Sequence, residues 1–221
     1  MINEIHYLRQ MGLIDPKKLA MPIYIVGAGN IGSWTALALM KLGCQNVTVI
    51  DFDRVEEHNV GSQLYNDADT GETKVQAMAD RIRLLAPNTP SVIERAWTPQ
   101  EDLEGYDIII SAVDSIEVRA SLFRSLQGSR KVFIDGRMGG NSLTVYTVHM
   151  DNPDEVRLYE QTLFEKGEAL EIPCSERSVV YNCFVMAGMI ANMVTHVANN
   201  HATTPELEID LMNLTMYGGM A

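Results

Sequence analysis

The sequence predicts the α/β fold class, with a doubly wound, mostly parallel sheet to which antiparallel strands are added in the C-terminal part. Three observations support this prediction. Short apolar runs alternate with segments of helical period from Ile23 to Asp135, and a glycine-rich turn follows the first run. From Ser142 onward, apolar and polar residues alternate, which is typical of antiparallel strands.

Five apolar runs predict the parallel strands, and the helical segments predict the connections between them. The predicted strands are Ile23–Val26, Val47–Ile50, Ser91–Glu94, Asp107–Val113 and Lys131–Asp135. The predicted helices are a short amphipathic helix over residues 2–11, then Ile31–Leu42, Thr73–Leu85 and Glu117–Leu126. Strands that alternate with helices in this way indicate parallel pairing, because each helix carries the chain back across the sheet.

The C-terminal part combines strand-like runs with a long apolar helix. Leu207–Met216 is the last strand-like run. Val179–Ala198 is the longest apolar stretch, but it contains polar residues such as Asn182 and Asn192, so we expect a buried core helix and no membrane span. Because the chain has no internal repeat or linker, we predict a single domain over residues 1–221.

Composition and charge limit the class of function. The 221 residues are 46% hydrophobic and 21% charged, which is the apolar content of one well-packed domain. A formal net charge of -12 argues against a nucleic-acid-binding protein, because no basic stripe can neutralise phosphates. Cys44, Cys174 and Cys183 form no CxxC pair, so we predict neither a disulfide framework nor zinc. Reduced thiols, and residues 1–20 without a signal-peptide pattern, favour a cytoplasmic location.

A glycine-rich turn lies between the first predicted strand and the next helix. The segment GAGNIG, residues 27–32, matches G-x-G-x-x-G, which allows close backbone approach to phosphate at a helix N-terminus. Asp51 ends the following strand, where an acidic side chain accepts hydrogen bonds from ribose hydroxyls. A Rossmann-like nucleotide pocket is therefore predicted, formed by Gly27, Gly29, Asn30, Ile31, Gly32 and Asp51. A purely structural turn is the alternative, and the motif does not distinguish NAD from ATP.

Three further segments, in order along the chain, carry a family resemblance. They are DFDRVEEHNVGSQ at residues 51–63, DTGETK at residues 69–74 and SAVDSIEVR at residues 111–119. They resemble the D-x-D-x-V-x-x-x-N-x-x-R-Q, D-x-G-x-x-K and D-x-x-x-x-R segments of the ThiF, MoeB and ubiquitin-activating family. The resemblance implies an enzyme that uses ATP to adenylate a carboxylate.

The residues in these segments suit ATP chemistry. Lys74 would place a positive charge near the phosphates, and Asp114 would hold Mg²⁺ beside them. Asn59 and Gln63 can donate side-chain N–H groups to phosphate oxygens, and Asp53 completes the predicted site. Two structural alternatives remain at this point: a solvated helix residue for Lys74, and a helix N-cap for Asp114.

One departure from the family pattern concerns positive charge. Ser62 stands where the family carries an arginine, and a serine cannot make the bidentate, always-charged contact to a polyphosphate. Arg54, Arg119 and Arg137 are candidate replacements, although Arg119 could equally tie its helix to the sheet. Arg9 resembles a position from which family members send an arginine into the neighbouring subunit's site; an exposed helix charge is the alternative.

Cys174 is the one cysteine that matches a functional family position. It precedes the long apolar helix, and Arg177 lies close enough in sequence to favour a thiolate. The resemblance therefore implies a nucleophile that captures the acyl group, with a bystander thiol as the alternative. Cys44 and Cys183 are predicted to be core residues.

The resemblance also implies the partners. The substrate would be the C-terminal carboxylate of a small ubiquitin-like or sulfur-carrier protein, or of a peptide, and the chain would form a homodimer. Two other classes stay open. An NAD-dependent oxidoreductase is one, and Lys74 and Asp114 count against it. A non-catalytic nucleotide-binding scaffold is the other, for which Ser62 is the best argument.

Overall fold

The structure is a computed structural model, and it describes residues 3–163 and 179–219. The strands in this part of the chain are β1 (Ile23–Val26), β2 (Val47–Asp51), β3 (Ser91–Glu94), β4 (Ile108–Ser111), β5 (Val132–Gly139), β6 (Ser142–His149), β7 (Glu206–Asp210) and β8 (Thr215–Gly218). The α-helices are α1 (Gly32–Leu42), α2 (Lys74–Leu85), α3 (Ile116–Ser125), α4 (Pro153–Gln161) and α5 (Val180–Ala198).

All eight strands belong to one sheet with the order β3-β2-β1-β4-β5-β6-β7-β8. The pairs from β3 to β5 are parallel, and the pairs from β5 to β8 are antiparallel. The predicted fold class is therefore confirmed. Strand order reverses between β1 and β4, and in such sheets ligands bind outside the carboxyl ends of the strands at that point. We call this side of the sheet the carboxyl edge and the opposite side the amino edge.

Helices cover both faces of the sheet. On one face, α1, α2 and α5 bury a cluster that includes Ile25, Ile110 and Ile190. On the other face, α3 and α4 bury a second cluster, in which the rings of Phe133 and Tyr159 pack with centroids 5.3 Å apart. Burial of these side chains on both faces stabilises the strands that position the carboxyl edge.

Helix α5 packs against α1 and buries Met186, Ile190 and Val194. The prediction of a core helix is therefore confirmed. Its 19 residues, with a mean hydropathy of 1.3, are also long and apolar enough for a membrane span by length and composition alone. Core helices of soluble proteins meet the same criterion.

Two elements differ from their prediction. In place of an amphipathic helix over residues 2–11, the described part forms a 3-10 helix at Glu4–Tyr7, in which only Tyr7 is buried, so no apolar face stabilises a longer α-helix. The run Leu207–Met216 is two strands, β7 and β8, joined by a hairpin. The hairpin forms because the Asp210 carboxylate accepts the N–H groups of Met212 and Asn213, which reverses the chain.

Helix α4 was missed by the sequence analysis, although its start carries clear signals. Asn152 is the N-cap and accepts the N–H of Asp154, and Pro153 occupies the first helical position. The helix is short, and Tyr159 is its only buried residue. A segment with so narrow an apolar face has a weak helical period, which explains the omission.

Candidate functional site

The glycine turn between β1 and α1 depends on two of its glycines. Gly27 has a φ of +102°, and a Cβ there would lie 2.5 Å from the Ala112 carbonyl oxygen. A Cβ on Gly32 would lie 1.8 Å from the Gly27 oxygen, whereas one on Gly29 would meet nothing within 4 Å. Gly27 and Gly32 therefore shape the turn, and Gly29 leaves open space for a ligand. Helix α1 begins at Gly32 without a side-chain cap, as expected of an anion-binding helix end.

Asp51 ties the end of β2 to this turn. Its Oδ2 accepts the Ala28 N–H at 2.6 Å, and its Oδ1 accepts the Asp53 N–H at 2.8 Å. Each carboxylate oxygen has a second lone pair, so the contact to ribose hydroxyls stays a prediction.

Tyr65 is a residue of the site that sequence reasoning missed. Its hydroxyl donates to the Ala28 oxygen at 2.6 Å and lies 3.2 Å from the Lys74 oxygen, so it joins the glycine turn to α2. Burial raises the pKa of Tyr65 far above its ordinary value, and the hydroxyl therefore stays a donor. A tyrosine just after a family segment is not informative by itself, so no sequence signal could have identified it.

Lys74 is buried at the start of α2. Its Nζ lies 2.8 Å from Asp53 Oδ2, and its backbone N–H donates to the Asp53 oxygen at 2.9 Å. The Lys74 side chain is 10% exposed, which excludes a solvated helix residue, whereas Asp53 is 45% exposed. An anion that arrives from solvent can therefore compete with Asp53 for the ammonium group.

Asn59 and Gln63 lie in the segment that follows Asp53. Asn59 is buried, and its Oδ1 accepts the Glu56 N–H at 2.9 Å, which orients the amide and leaves its N–H groups for a ligand. Gln63 is also buried, and its Oε1 has no hydrogen-bond partner within residues 3–163 and 179–219. A buried acceptor without a donor is costly, which indicates a place where a ligand or water completes the bonding.

Asp114 follows β4 and is exposed at the carboxyl edge. The cap of α3 is Ser115, whose Oγ accepts the Val118 N–H at 3.2 Å, so the N-cap alternative for Asp114 is wrong. Within the described chain, no group of three or more His, Cys, Asp or Glu side chains could hold a metal ion. Mg²⁺ bound by one carboxylate and by substrate phosphates needs no such group, and Asp114 fits that arrangement.

Ser62 fastens its loop to the glycine turn. Its Oγ donates to Asn30 Oδ1 at 2.8 Å, and its carbonyl oxygen accepts the Trp34 indole N–H at 2.8 Å. These contacts orient Asn30, which borders the predicted phosphate position. They bring no positive charge, so Ser62 and its contacts do not replace the charge of the arginine in the family pattern.

Two of the candidate arginines are exposed, and they lie in different parts of the fold. Arg54 is exposed and donates to the Gly71 oxygen at 2.8 Å. Arg9 is exposed at the amino edge, since the neighbouring Gln10 donates to the oxygen of Leu42, the last residue of α1. Within one chain, Arg9 and the glycine turn therefore lie at opposite edges of the sheet.

Arg119 and Arg137 converge on a buried carboxylate that the sequence analysis did not select. Arg119 Nε lies 2.7 Å from Asp135 Oδ1, and Arg137 Nε lies 2.7 Å from Asp135 Oδ2. Tyr159 also donates to Oδ2, at 2.9 Å. Arg119 thus ties its helix to the sheet, the alternative stated above. The signal was the charged pair around Gly136 in an otherwise apolar strand, because buried charges must be paired.

The cysteine predictions have mixed outcomes. Cys44 and Cys183 are buried, as predicted, and burial raises the pKa of the Cys44 thiol to about 12, which makes it unreactive near neutral pH. Cys174 lies outside the described residues, so its role stays a prediction.

The site combines four features: the glycine turn, the acidic end of β2, the buried Lys74 and the exposed Asp114. Together they define the class of nucleotide-binding α/β proteins. The sequence profile of the ThiF family matches residues 7–218, and the chain belongs to the ThiF family. The resemblance found in the sequence is therefore confirmed.

Curated relatives align with this chain over about half of their own length. The tRNA threonylcarbamoyladenosine dehydratase of Haemophilus influenzae is 31% identical over 127 residues, which are 54% of this chain and 49% of that protein. The molybdopterin-synthase adenylyltransferase of Escherichia coli is 27% identical over 139 residues, 59% of this chain and 55% of that protein. The chain thus spans about half the length of these relatives.

Solved structures agree on the fold. The crystal structure of PaaA superimposes with a TM-score of 0.76 at 20% identity, over 98% of this chain and 72% of that chain. Escherichia coli MccB with ATP superimposes with a TM-score of 0.72 at 16% identity, over 92% and 65%. At such identities the likeness establishes the fold alone.

Proposed function

We propose that this chain binds ATP with Mg²⁺ and adenylates a carboxylate. The observation that carries the proposal is the convergence of three features at the carboxyl edge. They are the open glycine turn at Gly29, Lys74 with its displaceable partner Asp53, and the exposed Asp114. Relatives named adenylyltransferases support this class of reaction over hydride transfer.

In the proposed reaction, a carboxylate oxygen attacks the α-phosphorus of ATP, an acyl adenylate forms, and pyrophosphate leaves. Two anions must meet, so the site has to offset negative charge. Lys74 supplies one positive charge, and Asn59 supplies amide N–H groups. When bound, Mg²⁺ would neutralise phosphate charge, with Asp114 as the residue that holds it.

The proposed substrate is the C-terminal carboxylate of a small ubiquitin-like or sulfur-carrier protein, or of a peptide. Relatives named molybdopterin-synthase adenylyltransferase, and crystal structures of MccB with MccA, support such a partner. The tRNA threonylcarbamoyladenosine dehydratases among the relatives raise a tRNA substrate as the competing case. The net charge of -12 argues against it, because phosphate backbones need basic surfaces.

We also propose a homodimer in which Arg9 of one copy serves the site of the other. Arg9 is at the amino edge of its own chain, and Ser62 leaves the phosphate site short of one cation. Exposed apolar side chains flank Arg9, namely Ile5, Leu8 and Leu13.

On α5, the exposed Phe184 packs on Trp34 with ring centroids 4.7 Å apart. Large exposed apolar groups of this kind indicate contact surfaces. A fully active monomer in light scattering would contradict the shared site.

Cys174 is proposed as the nucleophile that captures the acyl group after pyrophosphate leaves. The proposed location of the protein is the cytoplasm. The variant Cys174→Ala should keep pyrophosphate exchange and lose a covalent, thiol-sensitive adduct. If the variant still forms a thiol-sensitive adduct, or if the wild type never forms one, Cys174 is a bystander and the enzyme passes its adenylate to an external acceptor.

Thermal unfolding with nucleotides tests the proposed cofactor. A ligand at 100 times its Kd stabilises the folded state by about 2.7 kcal/mol, so ATP with Mg²⁺ should raise the Tm clearly and NAD should not. Asp114→Ala should remove the part of the shift that depends on Mg²⁺. Asp107→Ala is the matched control, because Asp107 is an exposed aspartate at the other end of β4. Equal stabilisation by NAD alone would favour an oxidoreductase and overturn the proposal.

A further inference from the structure

Asp135 is a charged residue enclosed near the carboxyl edge, where it pairs in register with Ser111, the last residue of β4. Its side chain is 0% exposed in β5 and accepts three hydrogen bonds, from Arg119, Arg137 and Tyr159. Two guanidinium groups share this single carboxylate, so the cluster carries a net charge of about +1. Buried charges are costly unless they are paired and hydrogen-bonded, and Asp135 pairs with both guanidinium groups at 2.7 Å.

Arg119 extends the cluster to the carboxyl edge. Its Nη2 donates to the Val113 oxygen at 2.6 Å and to the Gly136 oxygen at 3.4 Å, while Nε is held by Asp135. Val113 immediately precedes Asp114, the residue proposed to hold Mg²⁺. A continuous path of contacts therefore runs from the Asp135 carboxylate to the peptide bond that begins Asp114.

Arg137 holds the same carboxylate from the other side. Its Nη2 donates to Thr162 Oγ1 at 2.9 Å, and its guanidinium lies 4.5 Å from the ring centroid of Tyr146. Burial opposes its charged form, but the negative charge of Asp135 outweighs burial and raises the pKa of Arg137. Arg137 thus stays charged, and it keeps Asp135 oriented towards Arg119.

The peptide bond that Arg119 holds matters because the bond is planar. A donor that fixes the Val113 carbonyl oxygen also fixes the N–H and the Cα of Asp114. Asp114 itself is exposed in the connection between β4 and α3, and the cap of α3 is Ser115. The octahedral geometry of Mg²⁺ is strict, and residues behind a metal ligand commonly set its orientation.

We infer that Asp135 is a positioning residue: through Arg119 it fixes the Val113–Asp114 peptide and so holds the Asp114 carboxylate for the metal. The inference rests on the proposed function, since it presupposes a metal–nucleotide complex at this edge. Asp135 is not a ligand itself, because its oxygens are enclosed by Arg119, Arg137 and Tyr159.

The test measures how much Mg²⁺ tightens nucleotide binding. The protein is titrated calorimetrically with a non-hydrolysable ATP analogue, once in Mg²⁺ and once in EDTA. The Kd in EDTA divided by the Kd in Mg²⁺ is the ratio that measures the coupling between metal and nucleotide. Asp135→Asn should lower this ratio by about 10-fold, the usual effect of losing support behind a metal ligand, and leave the metal-free Kd nearly unchanged. Arg119→Lys keeps the charge but loses the planar fork, so it should lower the ratio as well.

Glu155→Gln is the matched control for a buried carboxylate. The Glu155 side chain is 14% exposed, accepts the His149 N–H at 2.7 Å and lies where β6 ends, at the amino edge. It should lower the Tm and keep the wild-type ratio. If Asp135→Asn fails to fold, Arg119→Lys decides the question.

Two negative results have different meanings. If Asp135→Asn and Arg119→Lys lower the Tm but keep the wild-type ratio, the cluster only supports the fold, and the inference is overturned while the proposed function stands. If Mg²⁺ does not tighten nucleotide binding in the wild type, the proposed metal–ATP site is itself overturned.

Discussion

Two charge clusters lie at the carboxyl edge of the same sheet, and they differ in burial. Lys74 pairs with Asp53 at 2.8 Å, and Asp53 is 45% exposed. Asp135 pairs with Arg119 and Arg137 at 2.7 Å each, and its side chain is 0% exposed. The residue types and distances are similar, so contact geometry alone does not separate the two clusters.

Solvent access separates them. Exposed ion pairs contribute about 0–1 kcal/mol, whereas breaking a buried pair costs about 3–5 kcal/mol because a charge is left without a partner. A phosphate from solvent can therefore take the place of Asp53 beside Lys74, but it cannot displace Asp135. One cluster is suited to bind ligand and the other to hold the residues that do.

The largest expected effect is on stability. Asp135→Ala leaves Arg119 and Arg137 without their shared carboxylate and should lower the free energy of unfolding by about 3–5 kcal/mol, measured by urea denaturation. Asp53→Ala is the comparison variant and should cost less than Asp135→Ala, because Asp53 is 45% exposed and its loss admits water to the Lys74 ammonium group. Equal losses in the two variants would show that burial does not distinguish the clusters.

The next effect is on binding. Lys74→Met keeps the apolar stem and removes the charge, so the affinity for an ATP analogue should fall by about 10- to 100-fold, or about 1.4–2.7 kcal/mol. The free energy of unfolding of Lys74→Met should change much less than its free energy of nucleotide binding. Lys41→Met on the exposed side of α1 is the matched control and should bind normally. Unchanged affinity in Lys74→Met would remove this lysine from the site.

The smallest effect concerns a third pair of intermediate burial. Arg81 lies 2.7 Å from Asp69, whose side chain is 12% exposed. Burial favours the neutral acid, but hydrogen bonds from Arg81 outweigh it and lower the pKa of Asp69 below its ordinary value. The stability from this pair is therefore present above the unfolded-state pKa and is lost as pH falls through the folded-state pKa.

The variant Asp69→Asn checks that sign. It should be less stable than the wild type by about 1 kcal/mol at pH 7, and the difference should shrink below about pH 4. A difference that stays constant down to pH 3, or grows, would contradict a lowered pKa of Asp69.

Local sequence patterns predicted elements well wherever one strong signal acted. The bounds of β1 and β3 match their prediction, because a β-branched run flanked by turns has few alternatives. Helix α4 was missed, since Tyr159 is its only buried residue. The run Leu207–Met216 was predicted as one strand because the reversal at Asp210 depends on side-chain hydrogen bonds that hydrophobic periodicity does not report.

Some residues of the candidate site were predicted from the sequence, and others were not. Gly27, Gly32, Lys74 and Asp114 were selected from motifs, because their spacing reflects local geometry. Tyr65 and Asp135 were not, because each acts through partners far along the chain, such as the Asp135 contact to Arg119 in another element.

The sequence by itself determined the fold class, the glycine turn and the family, since all three depend on short-range patterns of apolar residues, glycines and ordered motifs. Only the tertiary structure decided that Lys74 is buried against Asp53, that Ser115 caps α3, and that Arg9 lies at the opposite edge. It alone also decided that two arginines share Asp135. The physical reason is that burial and charge pairing depend on which distant segments pack together, and the sheet order sets that packing.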